Sequence, residues 1–492
     1  MNGRGRLIVV SNRLPVTIER HAGDLLAKPS SGGLVSALLP AFQENGGCWV
    51  GWPGTAYDPG IAHVLRTECA PEYSFEPVFL SENETECFYH GCSNEIIWPL
   101  FHDLQTRCNF DPAYWTVHLE AIRKFASTVL RTAHKDDFIW VHDYHLMMLG
   151  EALRERGARN TLAYFHHIPF PPPDIFEKLP WRAELLRGLL QFSLLGFQTV
   201  RDRRNFLACV RRCLAGVSIR RAGARTVVRA EGRCAAAGTF PIGIDFRSYA
   251  EDAARPEVEA RAAEIRGSLE GMKIVLGLDR LDYTKGVPQR LAGFRALLAG
   301  RPELRGRVVL LQLVVPSREA IPQYRDLKDV VERTVSEING EFSRPGWTPI
   351  AYLHRSVPRT ELLALYRAAD VALITPLKDG MNLVAKEFCA ARVDELGVLV
   401  LSEFAGSAEQ LGENALLVNP YDSEGMAALL ERALRMDADE QRARMQRMRE
   451  VVRAKDVFHW CRSICGQHVF RSPQVYATAS ALPQLHLVSR AV

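Results

Sequence analysis

The sequence predicts an α/β fold with two domains, each built on a parallel sheet. The chain has 492 residues, and single hydrophobic cores rarely grow beyond about 250–300 residues. Short, nearly continuous apolar runs alternate with helical stretches, the pattern of strands buried on both faces of a parallel sheet. One series of such runs closes with TFPIGIDFRSYA, and a second opens at KIVLGLDRL. Two sheets, rather than one, account for this order.

Nine apolar segments are predicted as strands: 6–12, 136–144, 160–169, 194–199, 272–281, 307–314, 370–377, 397–404 and 414–420. Helices are clearest at 113–133, 286–299 and 424–436. A charged, alanine-rich segment, 251–270, places the domain join near residue 245. We expect an N-terminal Rossmann-like domain at 1–245 and a second at 246–450. In 451–492 we expect a helix that packs back on the first domain, followed by a loosely held tail.

Composition and charge exclude several classes of protein. The net charge of +4 is small for this length, which argues against a nucleic-acid binder but allows anionic small ligands. The longest apolar runs fall short of the ~20 residues that cross a membrane. The eleven scattered cysteines favour reduced thiols in the cytoplasm. HWCRSICGQH, at 459–468, offers two cysteines and two histidines, but no second cluster with recognised zinc spacing supports a metal site, so buried residues of a C-terminal helix are favoured.

Ligands of doubly wound sheets bind at the carboxyl ends of the strands, so polar clusters should follow the apolar runs. The first is SSGGLVSAL at 30–38, where glycines open a helix after the first strand. Backbone N–H groups there attract phosphate, although a tight turn with a serine cap gives the same pattern.

Two histidine-containing segments follow the next strands. In VHDYH, 141–145, Asp143 can accept hydrogen bonds from sugar hydroxyls or transfer a proton, or it can simply cap a helix. His167 ends a strand before a proline-fixed loop, a position where a lone histidine is often structural.

Cations follow two strands of the second series. Arg280 and Lys285, in GLDRLDYTKG, suit a diphosphate leaving group, because the guanidinium fork binds two oxygens and the ammonium adds a point charge. Surface ion pairs are the alternative. Arg318 also follows a strand, and there a solvated loop arginine is the default interpretation.

The segment PLKDGMNLVAKE, 376–387, combines several polar features at one strand end. Asp379 is placed to hold hydroxyls of a transferred sugar. Gly380 and Asn382 permit unusual backbone angles, and a helix should begin near Asn382 with its positive end towards a diphosphate. Glu387, five residues on, is placed to bind both hydroxyls of a ribose.

Two competing functions have weaker support. The arginine-rich region 201–233 would suit RNA, but it lacks interleaved aromatic residues and partly resembles a hairpin, so a solvated face is favoured. A nicotinamide dehydrogenase is disfavoured because no G-x-G-x-x-G follows the first strand.

With GLDRLDYTKG and PLKDGMNLVAKE in one chain, the sequence closely resembles the trehalose-6-phosphate synthase family over residues 5–470. Further family-like segments are VSNRLP, SGGLVSAL, GGCWVGWPG, SNEIIWPLFH, FIWVHDYHLM, HIPFPPPDIF, LLGFQT, PIGID, INGEFSRPGWTPI and GVLVLSEFAGSAEQL. The resemblance implies a GT-B fold, in which two Rossmann-like domains face each other across a cleft.

The resemblance also implies an activity. Family members are retaining glucosyltransferases that move glucose from a nucleotide-glucose, usually UDP-glucose and sometimes GDP-glucose, to C1 of glucose 6-phosphate. The product is α,α-trehalose 6-phosphate. No cofactor, metal, nucleic acid or membrane is implied, and a homo-oligomer is plausible. With only some twenty residues after about 470, no phosphatase domain is expected.

Roles for individual residues come from the resemblance. The acceptor sugar is assigned to Arg13, Tyr89, Trp98, Asp143 and Arg318. The donor is assigned to Gly32, Gly33, His167, Arg280, Lys285, Asp379, Gly380, Met381, Asn382, Leu383, Val384, Ala385, Lys386 and Glu387. The catalytic group comprises Asp143, His167, Arg280, Lys285 and Asp379.

Some alternatives stay open. Val357 stands where family members often carry an aromatic residue near the base, so the base preference is undetermined. Siblings with other acceptors include glucosylglycerol-phosphate synthases and pseudo-glycosyltransferases. A catalytically silent sensor is disfavoured by the intact Arg280, Lys285, Asp379 and Glu387.

Overall fold

The computed structural model describes residues 5–21, 24–29, 33–67, 69, 73–269, 271–317 and 321–466. It confirms the α/β class with two largely parallel sheets. The strands are β1 Leu7–Arg13, β2 Val16–His21, β3 Asp24–Pro29, β4 Gly47–Trp52, β5 Tyr73–Pro77, β6 Phe138–His142, β7 Thr161–His166, β8 Leu194–Phe197, β9 Ser218–Ala222, β10 Arg225–Ala230, β11 Arg233–Thr239, β12 Lys273–Arg280, β13 Val308–Val315, β14 Ile350–His354, β15 Val371–Ile374, β16 Val398–Ser402 and β17 Leu416–Val418.

The α-helices are α1 Gly33–Asn45, α2 Ile61–Thr67, α3 Glu82–Glu84, α4 Trp98–Phe101, α5 Pro112–Thr132, α6 Leu149–Glu155, α7 Pro173–Phe176, α8 Arg182–Leu189, α9 Val200–Cys213, α10 Phe246–Ala253, α11 Pro256–Gly267, α12 Val287–Gly300, α13 Pro322–Phe342, α14 Arg359–Ala368, α15 Leu383–Ala391, α16 Ala408–Leu411, α17 Ser423–Arg435, α18 Ala438–Ala454 and α19 Val457–Cys465. A π-helix, Thr85–Ile97, joins α3 to α4.

The first sheet has nine strands in the order β5-β4-β1-β6-β7-β8-β11-β10-β9. Its strands run parallel from β5 to β11, and an antiparallel hairpin extends the edge. From β1 the chain adds β4 and β5 on one side and then β6, β7 and β8 on the other. The crevice between β1 and β6 is therefore a topological switch point, where ligands of such sheets bind. This sheet and the helices packed on it are called the first lobe.

The second sheet has six parallel strands in the order β14-β13-β12-β15-β16-β17. From β12 the chain adds β13 and β14 on one side and then β15, β16 and β17 on the other, so the switch point lies between β12 and β15. This sheet and its helices are called the second lobe. The segments singled out in the sequence fall at these two places, since Arg13 ends β1, Asp143 follows β6, Arg280 ends β12 and Asp379 follows β15.

Two chain crossings connect the lobes side by side. The first runs through 241–245, and the second through 454–457 between α18 and α19. The amide of Val457 donates to the carbonyl of Ile244 at 3.0 Å. A Cβ on Gly243 would lie 2.3 Å from the carbonyl oxygen of Lys455, so only glycine allows this approach. Helix α19 then packs on the first lobe, where the Trp460 ring lies 4.8 Å from that of Trp140.

The nine predicted strands are all present, each within a few residues of its expected bounds. The hairpin in the basic region is β9–β10. The prediction missed β4, β5, β11, β14 and the β2–β3 hairpin, and it gave no bounds for the long helices α13 and α18.

Other sequence expectations concern location. None of the helices in the described part of the chain combines the length and apolar character needed to cross a bilayer. The eleven cysteines all lie in that part, and no two of them form a disulfide. Cys461 and Cys465 are buried on α19, while His468 and the tail lie outside the described residues.

Candidate active site

An ion pair occupies the switch point of the second lobe. Lys285 Nζ lies 2.5 Å from Asp379 Oδ2, and both side chains are only 14% exposed. Burial alone would raise the pKa of Asp379, but the nearby ammonium of Lys285 outweighs it and holds the pKa below its ordinary value. Asp379 is therefore a fixed anion, oriented further by the Asn382 amide at 3.2 Å.

The two lobes touch directly beside this pair. A Cβ on Gly380 would lie 2.0 Å from the carbonyl oxygen of His167, so no larger residue fits between the lobes there. A Cβ on Gly33, the first residue of α1, would lie 3.4 Å from Leu383 Cδ1 at the start of α15. The starts of these two helices thus face each other across the cleft. Gly32 lies outside the described residues.

Helix α15 begins directly after Asn382, where the sequence predicted a helix start, and Asn382 caps it through its side chain. Asn382 has a φ of 74°, and its side chain accepts a hydrogen bond from the amide of Ala385. The cap occupies the third amide of the helix, while the amides of Leu383 and Val384 have no partner within the helix. These donors and the helix dipole favour an anion at this end.

Glu387 lies one turn further along α15 and is held by two tyrosines. The Tyr366 hydroxyl donates to Glu387 Oε2 at 2.8 Å, and Tyr249 supplies a second hydrogen bond. Burial raises the pKa of Glu387 despite these bonds. The residue as a whole is only partly buried, and each carboxylate oxygen has more than one lone pair with which to accept from ligand hydroxyls.

The side chain of Lys386 is engaged away from the cleft, so the predicted contact of Lys386 with the donor would have to be made by its backbone. Its Nζ donates to the carbonyl of Ile242 in the first chain crossing at 2.5 Å, and the side chain is buried. Burial lowers the pKa of Lys386 to about 7. Met381 and Ala385 are also buried, so in this segment they offer a ligand their backbone rather than their side chains.

Arg280 differs from Lys285 in having no ion pair with any described carboxylate. It is the last residue of β12, opposite Val315 of β13, and its side chain is exposed. The structure therefore places a guanidinium without a described carboxylate partner at the carboxyl edge of the sheet, on the strand that leads into Lys285. Arg318 lies outside the described residues.

On the first lobe, Arg13 is held against aromatic rings. Its guanidinium carbon lies 4.1 Å from the centre of the Trp52 ring and 5.7 Å from that of Tyr89. Burial lowers the pKa of Arg13. Its Nη1 is buried without a hydrogen-bond partner among the described residues. A buried N–H lacking a partner is costly, and an anionic ligand would satisfy it.

Asp143 and His167 follow neighbouring strands, β6 and β7. Asp143 has a φ of 73° and donates its amide to the carbonyl of Phe165 at 2.8 Å. Its side chain does not cap the following turn, contrary to the structural alternative. His142 Nδ1 lies 3.1 Å from His167 Nε2, and burial lowers the pKa of His167 to about 3. His167 is therefore neutral at physiological pH.

Tyr89 and Trp98 lie on the π-helix and α4, which pass over the switch point of the first lobe. The Tyr89 ring stacks 6.0 Å from that of His145, and the buried Trp98 ring lies 4.3 Å from that of His102. Bulges of this helix type recur at functional sites because they redirect side chains.

Sequence reasoning missed several residues that position the site. Trp52 supports Arg13, His142 contacts His167, and the tyrosines 249 and 366 hold Glu387. Trp52 sits in GGCWVGWPG, a segment whose tryptophan among glycines was a usable signal. The tyrosines carried none, since they lie far away in the sequence and meet Glu387 only in the folded chain.

The chain is similar to known glycosyltransferases. The model of glycosyltransferase family 20 matches residues 5–468. A trehalose-6-phosphate synthase from Mycobacterium avium (strain 104) is 43% identical over 467 residues, which is 94% of this chain and 94% of that protein. A UDP-forming α,α-trehalose-phosphate synthase from Candida albicans is 40% identical, over 88% of this chain and 90% of that protein.

Solved structures are also similar. A UDP-forming α,α-trehalose-phosphate synthase from Burkholderia xenovorans, in complex with glucose-6-phosphate, has a TM-score of 0.87 and 35% identity over 94% of this chain and 100% of that chain. An E. coli structure bound with UDP-2-fluoro glucose has a TM-score of 0.85 and 35% identity over 94% of this chain and 99% of that chain.

Proposed function

The chain belongs to glycosyltransferase family 20, and on that basis we propose that it is a UDP-forming α,α-trehalose-6-phosphate synthase. It transfers glucose from UDP-glucose to C1 of glucose 6-phosphate with retention of configuration. The two-lobed arrangement is the GT-B fold.

One observation carries the proposal, namely that the switch points of the two lobes meet. The contact between Gly380 and His167 brings the Lys285–Asp379 pair next to the strand ends of the first lobe. A donor bound at the second switch point therefore presents its sugar to an acceptor bound at the first. Such positioning can supply a large part of the rate acceleration of a two-substrate reaction.

The donor site is proposed to work through positive charge. Arg280, Lys285 and the start of α15 stabilise the diphosphate as it leaves. Asp379 and His167 hold hydroxyls of the transferred glucose, and Glu387 holds the ribose. Since these groups supply the needed charge, the proposal requires no metal ion or cofactor.

The acceptor site is proposed to bind the sugar phosphate through Arg13, Tyr89, Trp98 and Arg318, with Asp143 on the acceptor hydroxyls. The buried, unsatisfied Nη1 of Arg13 supports this assignment, because a phosphate oxygen supplies its missing partner.

The proposed chemistry is a front-face displacement. The acceptor hydroxyl attacks the anomeric carbon from the side of the leaving diphosphate, whose oxygen takes the proton as the old bond breaks. Asp379, the carboxylate of this site paired most closely with a cation, is engaged by Lys285 and Asn382. These contacts suit a residue that holds hydroxyls better than one that forms a covalent intermediate.

We propose the domain limits 1–245 and 246–450, with a helix within 451–492 that packs back on the first lobe, followed by a tail; the two crossings support this division. A cytoplasmic location is proposed too, supported by thiols that form no disulfide in the described chain.

The test is an assay of purified protein with glucose 6-phosphate and UDP-, GDP- or ADP-glucose, which follows nucleotide release and the disaccharide formed. The proposal expects UDP release that depends on glucose 6-phosphate. Release that needs glycerol 3-phosphate or another acceptor would instead favour a sibling transferase, and no release with any donor would favour a silent relative.

A further inference from the structure

A cationic cavity lies on the side of the first lobe where the two chain crossings meet. Its volume is about 390 Å³, and it is lined by Ala224, Arg225, Thr239, Phe240, Pro241, Lys455, His459 and Ser463. None of these residues belongs to the candidate active site. Small-molecule pockets occupy roughly 300–1,000 Å³, so the cavity has room for a small metabolite.

The charges around the cavity are of one sign. Arg225 lies at the start of β10 and Lys455 at the end of α18, while His459 adds a polar ring from α19. Neither Arg225 nor Lys455 forms an ion pair with a described carboxylate, and no described carboxylate lines the cavity. The nearest acid along the chain, Asp456, is engaged in capping α19 through the amide of His459 at 2.7 Å. Two convergent cations with no carboxylate in the described lining favour an anion.

The uncharged lining adds a second requirement. The Ser463 hydroxyl donates to the carbonyl of Trp460 at 2.8 Å. The Thr239 hydroxyl donates to the carbonyl of Thr199 at 3.5 Å. Their oxygens therefore keep lone pairs that can accept from hydroxyl groups of a ligand. The Phe240 ring, 5.9 Å from the Arg225 guanidinium, supplies an apolar wall of the kind on which sugar rings pack.

We propose that this cavity binds a small phosphate ester with several hydroxyl groups, in the class of sugar phosphates. The phosphate lies among Arg225, Lys455 and His459, and the hydroxyls donate to Ser463 and Thr239. The site is separate from the acceptor pocket, which lies at the switch point of the first lobe.

The cavity lies where a bound ligand would contact elements that pack on both lobes. Helix α18 packs in the core of the second lobe through Met445, Met448 and Val452, whereas α19 packs on the first. A ligand that joins Lys455 to Arg225 and His459 therefore links the lobes next to their crossings. It favours the arrangement seen here, in which the lobes are in contact, and so strengthens binding of the donor nucleotide.

The direct test is calorimetric titration of ribose 5-phosphate into the full chain, with UDP and trehalose 6-phosphate present to fill the active site. Wild type is expected to bind one equivalent. The double variant Arg225→Gln/Lys455→Gln should bind at least about tenfold more weakly, since each charged hydrogen bond contributes about 1.5–3 kcal/mol. The matched control Arg211→Gln/Lys135→Gln, which removes the same exposed charges elsewhere, should bind as wild type does.

Three results would overturn the proposal: no heat of binding with wild type, equal affinity in the Arg225→Gln/Lys455→Gln variant, or an equal loss in the control. Inorganic phosphate, titrated in the same way, should bind more weakly than ribose 5-phosphate; equal affinity would refute the role of the hydroxyls. With trehalose 6-phosphate present, ribose 5-phosphate should also tighten UDP binding to wild type. An unchanged UDP affinity would refute the link between the lobes.

Discussion

Replacing Arg280 with glutamine should lower the catalytic rate without lowering the stability of the fold. Arg280 is exposed and has no ion pair with a described carboxylate, so its removal breaks no salt bridge in the described fold. The neighbouring Lys285 is paired with Asp379 at 2.5 Å, and both side chains are largely buried. The same substitution at the two positions should therefore have different consequences.

For Arg280→Gln the expected loss is in the transition state. A donor aimed at developing charge contributes about 2–4 kcal/mol, by analogy with an oxyanion donor. That corresponds to a decrease of about 30- to 900-fold in kcat/KM for UDP-glucose. The melting temperature should remain that of wild type.

For Lys285→Gln we expect both kcat/KM and the stability of the fold to decrease. The variant leaves the Asp379 carboxylate without its cation, and breaking a buried pair costs about 3 kcal/mol or more of folding free energy. The assays are steady-state kinetics with varied UDP-glucose and denaturant unfolding of both variants. Activity of Arg280→Gln within about threefold of wild type would refute the charge-stabilisation argument, since it equals less than 1 kcal/mol. Equal stability losses in the two variants would refute the assigned pairing.

Three further predictions concern single residues. Arg13→Gln should raise the KM for glucose 6-phosphate by about 10- to 150-fold, the equivalent of 1.5–3 kcal/mol, while the KM for UDP-glucose stays unchanged; parallel increases in both constants would contradict the acceptor assignment. Lys386→Met removes a group whose pKa is lowered to about 7 in the folded state from 10.5 in an unfolded chain. The unfolded chain binds the extra proton between these values, so wild-type stability should rise relative to the variant from pH 7 to 9.5, as melting curves would reveal; a constant difference would exclude the shift. Burial lowers the pKa of His118 to about 3, so the unfolded chain takes up its proton first and stability falls as the pH drops from 6.5. Urea unfolding of His118→Phe should show a shallower loss between pH 6.5 and 4, and an unchanged slope would count against a buried neutral imidazole.

Much of the fold could be predicted because buried parallel strands appear in the sequence as continuous apolar runs. The missed strands depart from that pattern for physical reasons. In β4, GCWVGW, glycines interrupt the run, and β5, YSFEP, is short and partly polar. The β2–β3 hairpin lies outside both sheets, and its first strand alternates buried Val16 and Ile18 with more exposed residues instead of forming a continuous apolar run.

The sequence could predict that the site residues follow strand ends, but it could not predict which of their side chains contact each other. That Lys285 meets Asp379 depends on β12 and β15 being neighbours, which is a property of strand order. The directions of Lys386 and Glu387 depend on which faces of α15 the crossing and the tyrosines occupy. The positive φ of Asp143 also appears only in the structure, since aspartate adopts ordinary angles elsewhere, whereas that of Asn382 agrees with the unusual angles that the sequence allowed there.

The stereochemistry of the product is the most direct test of retaining glucose transfer to glucose 6-phosphate. The measurement is the NMR spectrum of the disaccharide formed from UDP-glucose, labelled with carbon-13 at C1, and glucose 6-phosphate. We expect a labelled α-anomeric carbon in an α,α-1,1 linkage, with the phosphate retained on the other ring. A β-anomeric label, or a labelled glucose joined to any other acceptor, would contradict it.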